Sequence, residues 1–309
     1  VSIGIGVGEF PFSDADRFWQ WVDLCEAGGI DSIWQNDRLV SQAPVLESLT
    51  TMAAIAGRTK RLKFGMNVVL LAFREPVLLA KQCATIDVLS NGRLLPGFGI
   101  GSPLAKEWQA LQIDSKTRGA RADEALQVIR RLWTERSVDF DGQFYKLSGA
   151  SISPKPVQPE LSMWIGGASE AAIRRTARFG TGWQSGAESP AEVARVIAAI
   201  KAALVQTGRR IDADHYGVNI AFRLGEADEP VVVQAMEAYR RAGQGDPTAF
   251  FAVGGSRAII DRINAYVEAG AAKFVLQPIA AGDADILSQT VRLCEEILPA
   301  AAAKWPRGK

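Results

Sequence analysis

The sequence predicts an α/β protein, a (β/α)8 TIM barrel with insertions at the C-terminal face of its strands. Three observations carry that prediction. Short strand-like runs alternate with longer helical patterns from end to end, as a parallel sheet covered by helices requires. The runs number eight. The 309 residues suit one barrel of about 250 residues with additions, and no linker segment divides residues 1–309 into separate domains.

Each element has a local reason. The first strand is "SIGIGVG", 2–8, followed by helix "SDADRFWQWVDLCEAGG", with Ser13 placed to cap its start and Gly28-Gly29 to stop it. Strand "SIWQN", 32–36, precedes a helix near 44–57. Strand "LKFGMNVVL", 62–70, leads into "EPVLLAKQCATIDVLSNG", where Pro76 suits a first helical turn. "RLLPGFGIG", 93–101, is the fourth strand. Helix "RGARADEALQVIRRLWTE" carries Leu126, Ile129 and Trp133 on one face. "VDFDGQFYKL", 138–147, breaks the rhythm and reads as an inserted hairpin turning at Asp141-Gly142. "MWIGG", 163–167, resumes the strands and opens into "SEAAIRRTARFG". "GWQSG" is the sixth strand, a long helix covers 189–207, and "YGVNIAFRL", 216–224, is the seventh strand. The segment 225–255 reads as an irregular insertion at the barrel mouth. After "SRAIIDRINAYVEAG" come the eighth strand "KFVLQP", 273–278, a last helix over 284–298 and a frayed tail, "AAAAKWPRGK".

The bulk numbers exclude several classes. A hydrophobic content of 48%, a charged content of 22% and a net charge of +1 describe an ordinary globular chain without the basic footprint of a nucleic-acid binder. The basic stretches "RRTAR" and "IRRLW" sit at helical spacing and read as solvated faces. No apolar run approaches the roughly 18 residues of a membrane span, and "VSIGIGVGEF" lacks the basic flank of a signal peptide. Cys25, Cys83 and Cys294 lie far apart without metal or disulfide spacing, as buried small residues in a reducing cytoplasm would. His215, the single histidine, precedes the seventh strand, at the wrong end of a barrel for catalysis.

The stretch "GFGIG" needs a cause, because glycine weakens a strand interior. A dinucleotide fingerprint requires GxGxxG opening a helix. Here Gly97, Gly99 and Gly101 are spaced GxGxG, and Ser102 stands where the third glycine would be. Two readings remain: bare backbone that opens space for a flat ligand, or tight packing beside a large side chain such as Trp34. A second glycine motif, "IGGASEAAIRR", ends a strand at Gly166-Gly167 and begins a helix after Ala168, near Ser169. Free N–H groups of a first helical turn and close-approaching glycine backbone suit an anion. A simple cap by Ser169 is the alternative.

"VLSNGRLLPGFGIG", the preceding "FREPVLLAKQCATID", "RADEALQVIRRLW" and "MWIGGASEAAIRRTARFGTGW" together resemble the luciferase-like superfamily. They are most similar to its deazaflavin-dependent members, including the coenzyme F-420-dependent glucose-6-phosphate dehydrogenases, whose hairpin "VDFDGQFYKLSGASI" also resembles. The likeness covers most of 1–185 and returns in "FVLQP". It implies a barrel that binds coenzyme F-420, or alternatively FMN, across the strand ends near Gly99, Gly101 and Ser102. It implies a non-prolyl cis peptide at Asn67-Val68, with an ordinary trans strand as the alternative. It places the cofactor phosphate at Gly166, Gly167, Ala168 and Ser169, sets Asp37 against the ring or ribityl edge, and lines the pocket with Trp183. It also implies a homodimer formed through the early helices. The dehydrogenases carry an Asp-His pair after strand two and a Glu after the strand-four glycines. This chain has Arg38 and Ser102 there. An arginine does not exchange protons near neutral pH, so oxidation of glucose 6-phosphate is not expected.

Arg38 reads either as a holder of an anionic substrate or ring oxygen or as a surface ion pair, and Glu9 as a proton-handling carboxylate or an exposed one. Glu107 and Arg121 match structural positions. Arg223 is a better-placed charge than His215. The expected activity is hydride transfer between F-420 and a small organic substrate in the cytoplasm, with no nucleic-acid or membrane partner. The alternatives are an FMN-dependent monooxygenase fed by a separate flavin or deazaflavin reductase, a flavin-binding barrel without catalysis, and, outside the superfamily, a phosphate-binding sugar isomerase barrel.

Overall fold

A computed structural model describes residues 1–243 and 246–306. The strands are β1 (Ser2–Val7), β2 (Ser32–Gln35), β3 (Lys63–Met66), β4 (Val69–Leu70), β5 (Leu94–Leu95) and β6 (Gly97–Gly99). Then come β7 (Val138–Asp141), β8 (Lys146–Ala150), β9 (Trp164–Gly166), β10 (Gly182–Gln184), β11 (Tyr216–Leu224), β12 (Phe251–Gly254) and β13 (Lys273–Pro278). One curled, parallel sheet runs β4-β6-β9-β10-β11-β13-β1-β2-β3-β5, with β12 beside β11. The first and last core strands are therefore neighbours, with Ile5 opposite Leu276. The β7–β8 pair is a separate antiparallel hairpin.

The third and fourth predicted strands are each broken in two. β3 and β4 flank Asn67-Val68, whose peptide bond is cis. β5 and β6 flank Pro96, which has no N–H for the ladder. Its carbonyl instead accepts from Trp164 N (3.0 Å), tying the break to β9.

The helices on the outside are α1 (Ala15–Ala27), α2 (Ser48–Arg58), α3 (Pro76–Ser90), α4 (Glu107–Ala110), α5 (Arg118–Thr134) and α6 (Glu170–Phe179). They continue with α7 (Pro190–Thr207), α8 (Pro230–Arg241), α9 (Pro247–Phe250), α10 (Ser256–Glu268), α11 (Gly282–Arg292) and α12 (Leu298–Lys304). Their ends follow capping chemistry. Ser189 and Glu192 form a reciprocal capping box on α7, and left-handed Asn91 closes α3. Asp14, not Ser13, caps α1 by accepting from Arg17 N (2.9 Å); Ser13 instead donates to Asp283. The ionised carboxylate is the better acceptor for a helix start.

Three other expectations change. The hairpin turns over four residues, 142–145, because Glu124 reaches across and accepts from the N–H groups of Gln143, Phe144 and Tyr145. The segment 225–255 is not irregular: it holds α8, α9 and β12, with Pro230 and Pro247 opening the helices and Val232 and Tyr239 turned inward. Residues 244 and 245 of it lie outside the described residues. The final helix does not fray at 298. It passes through a widened π turn, Leu293–Ile297, ahead of Pro299 and continues as α12 to Lys304. A widened turn accommodates the missing proline N–H. The rest of the predicted tail, 307–309, lies outside the described residues.

Inside the sheet, Trp34 and Trp164 meet edge to face (6.0 Å, 78°) and pack with Val275. Gly65 has room for no side chain, since a Cβ there would lie 2.2 Å from the Leu95 carbonyl and 2.7 Å from the Trp34 ring. Cys25 and Cys83 are buried and Cys294 half-buried, all as free thiols.

Candidate active site

The strand C-termini gather β1, β2, β4, β6, β9, β10, β11 and β13 at one mouth. The glycines of "GFGIG" are explained there by close neighbours from the preceding strand. A Cβ on Gly99 would lie 2.5 Å from Val68 Cγ2, and one on Gly97 would lie 2.3 Å from the Met66 carbonyl. Gly166 faces the other methyl of Val68 at 3.2 Å. The bare backbone is met by the Met66 carbonyl at Gly97, Val68 at Gly99 and Leu70 at Gly101, so interior packing holds, with these groups rather than Trp34 as the intruders. Gly101 adopts φ +73° against Leu70. The Ser102 hydroxyl accepts from Leu104 N (3.2 Å) and its carbonyl from Trp108 Nε1 (2.8 Å).

Asp37 sits behind this wall. It is only 4% exposed. Its carboxylate accepts from Ser48 Oγ (2.9 Å), Leu70 N (3.1 Å) and Arg74 Nη2 (2.5 Å). Arg74 also pairs with Glu47 (2.9 Å). Burial lowers the Arg74 pKa, but the charges of Asp37 and Glu47 outweigh it, so the guanidinium is held above its usual value. Asp37 therefore anchors the Val69–Leu70 backbone and does not reach an open mouth, unlike the role the resemblance implied.

Asn67 bridges the interior. Its Nδ2 donates to Asn219 Oδ1 (2.7 Å), and Asn219 Nδ2 donates to the Ser185 carbonyl (2.6 Å). This amide chain joins β3, β11 and the end of β10 beneath the mouth. Beside it, Gln184 is 1% exposed, and both polar atoms of its amide lack a partner among the described residues.

The Gly166–Ser169 turn lies at the end of β9. Gly167 takes φ +105°, a conformation glycine adopts without cost. Ser169 Oγ accepts from Ala172 N (3.2 Å) and caps α6. The N–H groups of Glu170 and Ala171 have no acceptor within the helix. Trp183 is fully buried and donates to the Gly167 carbonyl (2.9 Å). It fixes the turn from behind instead of lining a pocket. The turn's open N–H groups fit a phosphate.

Arg38 and Glu9 part company. Arg38 Nε lies 3.0 Å from Glu107 Oε1, and Glu107 is fully buried. Its charge neutralises that carboxylate, as the ion-pair reading expects, while the Arg38 side chain stays 43% exposed. Glu9 is exposed and lines a cavity of about 380 Å³ between the ends of β1, β11 and β13. Gln277, Phe250, Phe251 and Val231 share that cavity. Arg223, at the end of β11, is bound to Glu229 (2.5 Å) and Asp285 (2.9 Å). His215 meets the Thr181 carbonyl (2.8 Å) at the opposite end of the sheet.

Residues 4–249 match the family described as luciferase-like monooxygenase. The chain belongs to the luciferase-like family. Among curated relatives, it is 34% identical over 171 residues to an F420-dependent glucose-6-phosphate dehydrogenase of Amycolatopsis mediterranei, covering 51% of this chain and 49% of that one. The chain spans about half to three-fifths of the length of the curated relatives it matches. A monooxygenase from Streptomyces bottropensis superposes with TM-score 0.83 at 21% identity, covering 98% of this chain and 100% of the other. An F420-dependent secondary alcohol dehydrogenase superposes with TM-score 0.82 at 18% identity, covering 97% and 99%. These likenesses establish the shared fold.

Sequence reasoning missed several residues of this luciferase-like mouth. Asn219 was legible in principle: it is the one amide inside "YGVNIAFRL", an otherwise apolar run apart from Arg223 at its end. Arg74, Gln184 and Gln277 carry no local signal. Phe250 and Phe251 were hidden in the segment read as irregular.

Among the described residues, no helix is long and apolar enough to cross a membrane, and no His, Cys, Asp and Glu group is placed to hold a metal.

Proposed function

We propose that the protein is a deazaflavin-dependent oxidoreductase that moves a hydride between coenzyme F-420 and a small organic substrate. The curled sheet is taken as a closed (β/α)8 barrel, with β3–β4 and β5–β6 each counting as one interrupted strand. The observation that carries the reading is the Gly166–Ser169 turn at the strand C-termini, where unpaired N–H groups and a glycine at φ +105° suit the cofactor phosphate.

When bound, the deazaflavin supplies a two-electron hydride carrier. The chain's own residues do the rest. Gly166, Gly167, Ala168 and Ser169 hold the phosphate. Val68, seated on the strand-four glycines, forms one wall of the ring site, with Gly101 and Ser102 at its edge and Asn67 presenting its amide. Asp37 and Arg74 fix that wall from behind. Glu9 is the free carboxylate at the substrate end and accepts or returns the substrate proton. The protein is expected to work in the cytoplasm as a homodimer formed through its early helices.

Similarity to F-420-dependent relatives favours the deazaflavin. The second reading, an FMN monooxygenase served by a separate reductase, is favoured by the likeness to a monooxygenase fold. A binding barrel without turnover is the third, because Arg38 is consumed by Glu107.

A titration of purified protein with F-420 and with FMN, followed by cofactor fluorescence, separates these. Saturable binding of F-420 alone supports the proposal. Preference for FMN moves it to the monooxygenase, and binding of neither removes the cofactor assignment.

A further inference from the structure

We propose that the cavity between β1, β11 and β13 is a substrate subsite for compact apolar molecules bearing one hydrogen-bond donor, an amine or an alcohol, and that it rejects anionic substrates. The proposal rests on the oxidoreductase reading only in calling the occupant a substrate.

The lining sets the class. At about 380 Å³ the cavity lies within the range of small-ligand sites. Phe250, Phe251, Val231, Ala235 and Ile279 supply apolar surface. Two polar side chains stand among them, Glu9 and Gln277. Glu9 is exposed and Gln277 half-buried, and neither makes a hydrogen bond or ion pair to the described residues. An ionised carboxylate is an acceptor only, so it selects a donor.

The surrounding charges set the sign. Arg223 is the guanidinium beside the cavity, and Glu229, Asp285 and the Ile279 carbonyl (2.8 Å) occupy it. The hydrogen bond to Glu229 is the main influence raising the Arg223 pKa, so it stays charged and committed. Across the mouth, Arg38 and Arg74 are likewise bound to Glu107 and Asp37. The potential at the cavity is therefore set by carboxylates, and a phosphate or carboxylate entering it loses solvation and meets repulsion.

Three probes on one six-carbon ring test this: cyclohexylammonium, cyclohexanol and cyclohexanecarboxylate. Their binding to the whole protein is measured by ligand-detected NMR, without cofactor. The ammonium is expected to bind about fivefold tighter than the alcohol, as a partly exposed ion pair provides, and the carboxylate at least tenfold weaker than either. Glu9→Gln should erase the ammonium preference and leave cyclohexanol within twofold. Ala235→Trp, which fills the cavity, should abolish both. Circular dichroism melting checks that each variant is folded. If Ala235→Trp melts early, saturation transfer from the Phe250 and Phe251 rings to cyclohexanol in the unaltered protein decides occupancy in its place. The proposal is overturned if the carboxylate binds as well as the alcohol, if Glu9→Gln keeps the ammonium preference, or if cavity filling leaves both probes unaffected. F-420 titrated into the same samples keeps the two ideas apart. Cofactor binding with the wrong probe order removes the subsite alone. The right probe order without cofactor binding removes the deazaflavin alone.

Discussion

The two ends of the sheet treat polar side chains in opposite ways. At the strand N-termini, most polar groups partner one another, the buried Trp164 indole N–H being an exception among the described residues. Asp31 and Lys273 form a buried pair with Ser32 hydrogen-bonded to Asp31 (3.1 Å), and Lys273 stacks over Trp34 (5.7 Å). Arg93 donates to Thr59 Oγ1 and to the carbonyls of Ala56, Thr59, Leu62 and Ser90, at 2.6–3.0 Å. At the C-termini, Glu9 and Gln277 face a cavity without partners among the described residues, and the buried Gln184 amide has none among them either. One end spends its polar groups on the fold, and the other leaves several available. That asymmetry fits the proposed barrel, with its chemistry at the C-terminal face.

Substitutions should respect the division. Arg93→Ala leaves several carbonyls unpaired at the closed end, and should destabilise by about 4 kcal/mol in urea unfolding. Asp37→Asn is the instructive exception, a mouth residue tied down like those below. It uncouples the mostly buried Arg74 side chain, though Glu47 remains. A loss of about 3 kcal/mol is expected, and a loss below 1 kcal/mol would return Asp37 to the list of available groups. Acid gives the next effect. Burial pushes the Asp31 carboxyl up, but the Lys273 charge and hydrogen bond win and hold it at about 2. A depressed carboxyl stabilises the fold above its unfolded pKa, and that stability is lost as pH falls through the native value. About 2 kcal/mol should thus disappear between pH 4 and pH 2, and Asp31→Asn should flatten that slope.

The mouth should behave with the opposite sign. Gln184→Leu replaces an unsatisfied buried amide and should raise stability by about 1 kcal/mol. Destabilisation instead would show that the amide has a partner in solution. Glu9→Gln should change stability by less than about 0.5 kcal/mol, because nothing in the fold holds that carboxylate.

Legibility in the sequence follows the same line. Period and punctuation revealed the eight runs, the hairpin and the glycine motifs, since those are local properties of "SIWQN", "GFGIG" or "IGGAS". The breaks at Asn67-Val68 and Pro96 split two of the runs. Partnerships were less legible. Nothing near Arg38 or Asp37 announces Glu107 or Arg74, which arrive from elements 69 and 37 residues away. The cavity wall is hidden when 225–255 is taken as an irregular insertion, although Pro230 and the inward spacing of Val232 and Tyr239 in "PVVVQAMEAYRR" mark a helix.

The central claim is that the Gly166–Ser169 turn holds the cofactor phosphate. Ser169→Asp tests it most directly, because aspartate caps a helix as well as serine does and adds only a negative charge at the turn. F-420 titrated against both proteins should bind the unaltered chain and weaken at least tenfold in the variant, with an unchanged melting midpoint. Equal affinity in the two proteins would contradict the assignment.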